Sequence, residues 1–267
     1  MTDRECVEFL QWALPAMQMR WAGFRKVRGQ VCKRISRRIG SLGLPDVAGY
    51  RDHLQMHREE WRTLASLCRV TISRFYRDRG VFDTMGSVIL PRLAEGAEAG
   101  LRCWSAGCAS GEEAYTMQML WRLRAAPSMA ARVLHVLGTD SDPTLLERAR
   151  KGVYPPSALA DLPPDLAGPA FAKVGGEFQL QARFKEGVEF EQRDIRASMP
   201  GGPFAMILCR NLVFTYFEEE LQRAILRRLL ARLRPGGVLV VGAHESLPGL
   251  DLGLRAVAPA IFERTRA

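Results

Sequence analysis

The chain has 267 residues, 47% of them apolar, which is long enough for one large domain or two smaller ones with buried cores. It has no apolar run of membrane-spanning length and no signal-peptide pattern, so we expect a cytoplasmic protein without membrane insertion. The net charge of +9 is concentrated in residues 1–80, with 16 Lys/Arg against 8 Asp/Glu, whereas residues 81–267 hold 22 against 21.

Residues 1–80 are predicted to form a small all-helical domain. In "FRKVRGQVCKRISRRIG" an apolar residue recurs every fourth position from Val27 to Ile39, and basic residues cover the rest of the predicted helix. We expect Gly40 to end this helix and Pro45-Asp46 to begin the next one.

From about residue 100, short apolar strands alternate with amphipathic helices, a pattern typical of a largely parallel α/β sheet. Asp142 and Pro143 predict a helix start, and Pro235-Gly236-Gly237 predicts the end of a helix whose apolar face includes Leu233. The predicted strands cover residues 101–105, 133–139, 188–192, 205–209 and 237–242.

The alternation is interrupted between residues 151 and 188. A proline-rich segment is followed by a predicted hairpin that turns at Gly175-Gly176, and we interpret residues 170–187, approximately, as an insertion carried on the sheet. The expected domains are therefore residues 1–80 and residues 81–267.

The six cysteines and four histidines are too scattered to suggest a metal site or a disulfide scaffold. Several of the cysteines lie in apolar runs, where a small buried hydrophobic side chain is the simplest interpretation. We predict neither a metal site nor a disulfide scaffold.

The stretch "WSAGCASGEEAY", residues 104–115, follows the first predicted strand of the sheet and opens a helix. Small residues at that place let the backbone approach a ligand. Glu112 and Glu113 would repel a phosphate there and attract a ligand that carries ammonium and sulfonium groups. The two acids fit equally well with a solvated first turn that they stabilise through the helix dipole.

The second predicted strand ends in "LGTDSD", which places Asp140 where an acid accepts hydrogen bonds from ribose hydroxyls. Taken alone, Asp140 could equally be a turn residue. Together with the small-residue loop and its acids, it fits a cationic cofactor that bears a ribose, S-adenosylmethionine (SAM), and so predicts a methyltransferase.

The chain contains, in this order, the motifs "TISRFYRD" (71–78), "WSAGCASGEEAY" (104–115), "TDSD" with "ERARKGVY" (139–154), "VEFEQRDI" (188–195), "CRNLVFTYF" (209–217) and "LRPGGVLVVGAHESL" (233–247). Together these motifs resemble those of the CheR family of chemoreceptor glutamate methyltransferases over nearly the full chain. The resemblance implies a Rossmann-like SAM-dependent methyltransferase domain with a small β-hairpin insertion, preceded by a small all-helical domain. It also implies an enzyme that forms methyl esters on receptor glutamates.

The resemblance also implies roles for individual residues. Arg77 and Tyr216 would be catalytic residues near the transferred methyl group that orient the acceptor. A surface ion pair for Arg77 and a phenol at the core edge for Tyr216 are alternative interpretations, which implied membership of one pocket disfavours. Glu112 would bind the methionyl amino group and Asp140 the ribose, while Asp194 would lie near the adenine amine. The implied cofactor-binding residues are Thr71, Ser73, Arg77, Ala106, Glu112, Asp140, Asp194, Ile195, Arg210 and Asn211.

The chain departs from the family pattern on the acceptor side. The family's Asn and Thr are replaced by Thr71 and Ser73, and four residues instead of three separate Asn211 from Tyr216. In "GAHES" the order of residues is also one position out of step. Two alternatives therefore stay open, a methyltransferase that acts on a small-molecule or peptide carboxylate, and a non-catalytic regulator that binds SAM.

The family's helical domain contacts acidic methylation helices of the receptor, so the basic helix has an implied partner. A solvated face is the simpler interpretation, and nucleic acid is disfavoured because few aromatic residues are interleaved with the basic ones. The hairpin turn is shorter than in members that dock a receptor tail, so we expect no tight pentapeptide docking. The basic residues in question are Arg28, Lys33, Arg34, Arg37 and Arg38.

Overall fold

A computed structural model of the chain describes residues 1–95, 100–125, 133–249 and 253–265. The chain divides into two units. The helical unit is Met1–Ile72 together with Thr215–Gln222, and the sheet unit is Ser73–Phe214 together with Arg223–Ala267. Nothing in the sequence pattern suggested that the short segment after residue 214 would group with the N-terminal helices.

The helical unit confirms the prediction that the N-terminal part of the chain is helical. A capping box in which Thr2 and Glu5 exchange hydrogen bonds begins the first helix. Asp46 caps the fourth helix as predicted, accepting a hydrogen bond of 2.8 Å from the Gly49 amide. The helices are α1 (Asp3–Ala16), α2 (Trp21–Phe24), α3 (Arg28–Ser41), α4 (Val47–Met56) and α5 (Glu60–Leu67).

Helix α3 buries Val31, Ile35 and Ile39 of the predicted apolar stripe, whereas Val27 precedes the helix and is only partly buried. The prediction that the helix ends at Gly40 is wrong. The helix continues to Ser41, and the chain turns at Gly43, whose φ of 68° is left-handed. The Leu44 amide then donates to the Ile39 carbonyl at 3.1 Å. This hydrogen bond is typical of a helix that ends at a glycine with left-handed φ, here Gly43. Gly40 is simply tolerated inside the helix.

A disulfide joins Cys6 of α1 to Cys32 of α3, with 5.9 Å between their Cα atoms. This pairing was not expected, because a separation of 26 residues matches no cysteine motif and only the packing of the two helices brings the thiols together. The other four cysteines are buried, as their apolar surroundings predicted. They are Cys68, Cys103, Cys108 and Cys209.

A buried carboxylate ties α3, α4 and α5 together. Glu60 is 4% exposed, and its two oxygens accept hydrogen bonds of 2.9 and 2.7 Å from the Arg38 guanidinium. The Tyr50 hydroxyl donates to the same carboxylate at 2.8 Å. The hydrogen bonds from Arg38, and to a smaller degree the one from Tyr50, hold the pKa of Glu60 below its ordinary value.

Most of the basic residues predicted to face a partner have contacts inside the helical unit. Arg28 forms an ion pair of 2.8 Å with Asp3, and Arg34 donates to two backbone carbonyls at the end of α5. Arg38 binds the buried carboxylate described above. Lys33 and Arg37 are exposed. The basic surface of α3 that is open to solvent is therefore narrower than the sequence suggested.

The sheet unit contains the strands named below and most of the remaining helices. It also has π-helical turns at Met85–Ile89 and Trp121–Ala125. The end of helix α11 and the start of helix α12 lie in the segment Thr215–Gln222, which groups with the helical unit. The elements are α6 (Arg79–Thr84), α7 (Leu90–Glu95), β1 (Leu101–Ala106), α8 (Glu112–Leu120), β2 (Leu134–Asp140), α9 (Pro143–Lys151), β3 (Val153–Tyr154), α10 (Pro164–Ala170), β4 (Phe171–Val174), β5 (Glu177–Leu180), β6 (Val188–Gln192), β7 (Phe204–Leu208), α11 (Val213–Tyr216), α12 (Glu219–Leu230), β8 (Leu233–Val240), β9 (Leu254–Ala258) and β10 (Ile261–Arg264).

The large sheet has the strand order β6-β2-β1-β7-β8-β10-β9, and its first five strands are parallel. Strand β10 runs antiparallel to both β8 and β9. The predicted Rossmann-like α/β class is confirmed. The predicted helix start at Asp142 is also confirmed, since its carboxylate accepts from the Thr144 amide at 2.9 Å.

The junction of α12 with β8 differs from the prediction. The helix ends at Leu230, and Leu233 begins the strand instead of continuing the helix, pairing with Phe204 of β7. Because Leu233 is 1% exposed in this position, its burial in the sheet satisfies the apolar periodicity equally well. Strands β9 and β10 were not predicted.

The insertion forms a second sheet of order β3-β5-β4. Its hairpin turns at Gly175-Gly176 as predicted, with Val174 paired to Glu177 across the turn. The pairing of β3 with β5 adds a strand that the sequence pattern did not indicate. Within the described residues, no helix combines the length and the apolar character that crossing a bilayer requires.

Replacing Glu60 with Gln should lower the free energy of unfolding at pH 7 by about 1–3 kcal/mol, because charge-assisted bonds to a buried carboxylate are lost. Because the pKa of Glu60 is lowered in the folded protein, this stabilisation is present above the pKa of the unfolded chain, about 4.3. It is lost as the pH falls through the lower pKa of the folded state. Urea unfolding should therefore show a smaller difference in the free energy of unfolding between the wild type and Glu60→Gln at pH 3 than at pH 7. The same substitution at the exposed neighbour Glu59 is the control, and equal losses in both variants would contradict the prediction.

Candidate functional site

The carboxyl ends of β6, β2, β1 and β7 bring most of the predicted site residues to one edge of the sheet. Neighbouring parallel strands end side by side, and the crevice at that edge is where ligands of such sheets bind. Ala106 and Asp140 are the last residues of β1 and β2, and Ala106 pairs with Thr139. Asp194 and Ile195 follow β6, and Arg210 and Asn211 follow β7.

The loop between β1 and α8 is tightly folded. Gly107, Ala109 and Gly111 have left-handed φ values of 78°, 50° and 87°. The amides of Gly107 and Cys108 both donate to the Thr139 carbonyl, at 2.8 and 2.9 Å, which fastens the loop to the end of β2. A Cβ atom on Gly107 would lie 2.6 Å from a methyl carbon of Leu212, so the loop packs closely on the segment after β7.

Glu112, the first residue of α8, is buried with 2% exposure. Its carboxylate oxygens accept hydrogen bonds from the Ser73 hydroxyl at 2.6 Å and the Ser110 hydroxyl at 2.7 Å. No Lys or Arg in the described ranges forms an ion pair with it. Burying a carboxylate that has hydroxyl donors but no cationic partner carries a large desolvation cost. This position therefore suits a positively charged ligand group.

Glu113 differs from its neighbour because a cation already balances it. Its carboxylate accepts from the Ser105 hydroxyl at 2.6 Å and from the Arg210 guanidinium at 3.0 Å. The same guanidinium pairs with Asp78 at 2.9 Å and lies over the ring of Phe82 at 4.6 Å. The argument from charge treated the two adjacent acids alike and only the family resemblance singled out Glu112, whereas the structure gives the two acids different partners.

Asp140 has the environment of a turn residue. One of its oxygens accepts from the Ala109 amide at 3.0 Å and the other from the Asp142 amide at 2.9 Å. These bonds join the end of β2 to the loop after β1. The residue therefore shapes the edge at which a ribose would bind, and its contact with the ribose stays a prediction.

The segment after β6 closes one side of the site. Asp194 forms an ion pair of 2.7 Å with Arg196, and Ile195 is 7% exposed. The Arg193 amide donates to the Asp140 carbonyl at 2.9 Å, so this segment is fixed beside the end of β2. The predicted contacts of Asp194 and Ile195 with adenine stay predictions.

Glu245 was missed as a site residue, although it lies in "GAHES". One of its oxygens accepts from the amides of Asn211 at 2.8 Å and Gly242 at 2.7 Å. It thereby holds Asn211, whose φ of 54° is left-handed, at the end of β7. An acid shortly after a buried strand is the signal that identified Asp140, and it would have identified Glu245 as well.

The remaining predicted residues fall in both units. Ser73, bonded to Glu112, and Arg77, whose carbonyl accepts from Arg210 at 2.6 Å, belong to the sheet unit. Thr71 is exposed in the helical unit, where the ring of Tyr216 lies 5.1 Å from that of Phe24. The contacts of Arg77 and Tyr216 with an acceptor stay predictions.

The thiols near the strand ends are unsuited to nucleophilic chemistry. Burial raises the pKa of Cys108, and the negative charge of Asp140 raises it further. Burial likewise raises the pKa of Cys209. Both thiols are therefore protonated at neutral pH. Neither thiol is therefore suited to form a thioester or another covalent intermediate.

Comparison with known proteins identifies the family. The family model described as CheR methyltransferase, SAM binding domain, matches residues 71–258. Chemotaxis protein methyltransferases of Listeria monocytogenes and Escherichia coli K12 are 32% and 31% identical to the chain. The first match covers 75% of this chain and 75% of the relative, and the second covers 84% and 78%. An uncharacterized 104.1 kDa protein of Rhodobacter capsulatus is 31% identical over 82% of this chain, which spans 23% of that relative.

Replacing Gly107 with Ala should lower the melting temperature more than the same change at Gly175. Both glycines have left-handed φ values, 78° and 60°, so both variants carry a similar backbone cost. An added Cβ meets Leu212 at the first position, whereas nothing lies within 4 Å at the second. Thermal unfolding of both variants followed by circular dichroism measures the difference, and equal melting temperatures would show that the close approach does not constrain the loop.

Proposed function

Because the chain belongs to the CheR methyltransferase family, we propose that this SAM-dependent methyltransferase forms methyl esters on glutamate side chains of a chemotaxis receptor. The observation that carries the proposal in this chain is Glu112, a buried carboxylate without a cationic partner among the described residues. It lies next to the loop at the strand ends, where the family's cofactor-binding motif is found.

The residues at the strand ends fit SAM. Glu112 would bind its ammonium group, and Asp140 would accept from its ribose, while Asp194 and Ile195 would flank its adenine. The loop that follows Ala106, the last residue of β1, would allow the cofactor to approach the backbone closely. When bound, SAM supplies an electrophilic methyl group on a positively charged sulfur, which is complementary to a site rich in acids.

The acceptor requires little acid–base chemistry from the protein. A glutamate side chain with a pKa of about 4.3 is already ionised at neutral pH, so no base has to remove a proton. What the protein has to supply is orientation and exclusion of water. We assign the orientation of the acceptor to Arg77 and a place beside the cofactor to Ser73, both in the sheet unit. The roles that the family resemblance implies for Thr71 and Tyr216 stay predictions.

We further propose that α3 binds the acidic surface of a receptor in the cytoplasm. The exposed Lys33 and Arg37 would provide the attraction, because the other basic residues of the predicted set have contacts within the helical unit. The hairpin turn at Gly175-Gly176 is short, so no tight docking of a receptor tail peptide is part of this proposal.

Replacing Glu112 with Gln should weaken the binding of S-adenosylhomocysteine about 10- to 100-fold, since a charge-assisted bond to the ammonium group is lost. Isothermal titration calorimetry with the full chain measures this. The same substitution at Glu113 is the matched control, and it should change the melting temperature more than the affinity, because Arg210 loses a partner. Unchanged affinity in Glu112→Gln would contradict the assignment of the ammonium site.

The acceptor is tested by incubating the full chain with methyl-labelled SAM and the cytoplasmic fragment of a chemoreceptor. We expect base-labile label on the fragment, and Arg37→Gln should lower kcat/KM about 3- to 10-fold at low salt and less at high salt. Arg28→Gln, the same change in the same helix, should have a smaller effect because Asp3 already pairs with that charge. Label on a small-molecule carboxylate instead would favour the alternative acceptor, and no label on any acceptor would favour a SAM-binding regulator.

A further inference from the structure

The turn that carries Arg77 has an unusual backbone on both sides of this residue. Tyr76 and Asp78 have φ values of 60° and 63°, in the left-handed region that side chains other than glycine rarely adopt. Such conformations persist when the surrounding structure fixes them from several directions, and they are concentrated at functional sites. The contacts of Tyr76 and Asp78 therefore show what fixes the direction of Arg77.

The Asp78 side of the turn is fixed by the site itself. Its carboxylate accepts from the Arg210 guanidinium at 2.9 Å and from the Ala243 amide at 3.3 Å. Arg210 also donates to the Arg77 carbonyl. This half of the turn is joined to the ends of β7 and β8.

The Tyr76 side is fixed by residues outside the predicted site. Tyr76 is fully buried, and its ring stacks on that of Phe82 with 5.3 Å between centroids. Its hydroxyl donates to a carboxylate oxygen of Asp83 at 2.6 Å and accepts from the Arg124 guanidinium at 2.8 Å.

Arg124 joins this turn to a third part of the sheet unit. It lies in the π-helical turn after α8, and its guanidinium donates to Asp165 of α10 at 3.0 and 3.3 Å. It also pairs with Asp83 at 3.5 Å and lies over the ring of Tyr76 at 5.7 Å. We name Tyr76, Asp83, Arg124 and Asp165 the Arg124 clamp.

We propose that the Arg124 clamp is a positioning device for Arg77, and that Arg124 acts on the cofactor site through Tyr76 and the backbone of Arg77. The inference rests on the role proposed for Arg77 near the cofactor. A network that only stabilised the fold would affect binding to the same degree whether or not the Arg77 side chain is present. A positioning device loses its effect on binding when that side chain is removed.

The test is a double-mutant cycle on the affinity of the full chain for S-adenosylhomocysteine, measured by calorimetry. Arg77→Ala and Arg124→Met should each weaken binding about tenfold, and the double variant should be within about twofold of Arg77→Ala alone. Arg122→Met is the matched control. Its side chain is similarly exposed in the same π-helical turn, 32% against 28%, and pairs with Glu186, so its affinity should stay within about twofold of the wild type.

Tyr76→Phe gives a second route if Arg124→Met folds poorly, because it keeps the buried ring and removes the hydroxyl. It should weaken binding in the wild-type background and have little effect in Arg77→Ala. Effects that multiply in the double variants would overturn the positioning role and leave the role of Arg77 intact. Unchanged affinity in Arg77→Ala would overturn both, while the Glu112→Gln result would still test the cofactor site separately.

Discussion

A single buried guanidinium organises the site edge of the sheet unit. Arg210 has a side chain that is 4% exposed, and it joins the turn before α6, the first turn of α8 and the end of β7 by ion pairs with Asp78 and Glu113. Removing one partner of such a buried pair leaves an uncompensated charge, which makes these contacts mutually dependent. The positions of Asp78 and Glu113 at this edge therefore depend on where Arg210 lies.

The neutralisation of Glu113 by Arg210 gives the neighbouring acid its distinct character. Glu112 lies in the same helical turn and is more deeply buried, but it is held by hydroxyl groups that carry no charge. In surroundings of low dielectric constant, a carboxylate in this state interacts strongly with a cation that arrives from solution. Two adjacent glutamates thus differ in their partners: Glu113 is paired with a cation of the fold, and Glu112 is the acid that we propose for the ammonium group of the cofactor.

Local patterns predicted the elements better than they predicted the contacts. Apolar runs located strand 188–192 with both of its observed ends, and Asp142 marked a helix start, because strand burial and capping depend on neighbouring residues. The pairing of Arg210 with Glu113, across 97 residues, and of Cys6 with Cys32 depends on how distant elements pack, which no local pattern records. Strand ends predicted where the site lies, while tertiary packing decided which of its acids have a counter-ion.

The distribution of cysteines has a practical consequence for work with the purified protein. While Cys6 and Cys32 are joined, the four remaining thiols are all buried in the folded chain. Burial raises the pKa of Cys68 to about 12, so even this thiol, in the helical unit, is a poor nucleophile until it is exposed. Labelling by an alkylating reagent under native conditions consequently reports transient opening, with Cys68 as the probe of the helical unit and Cys103, Cys108 and Cys209 as probes of the sheet. The protein carries its own set of reporters for local unfolding.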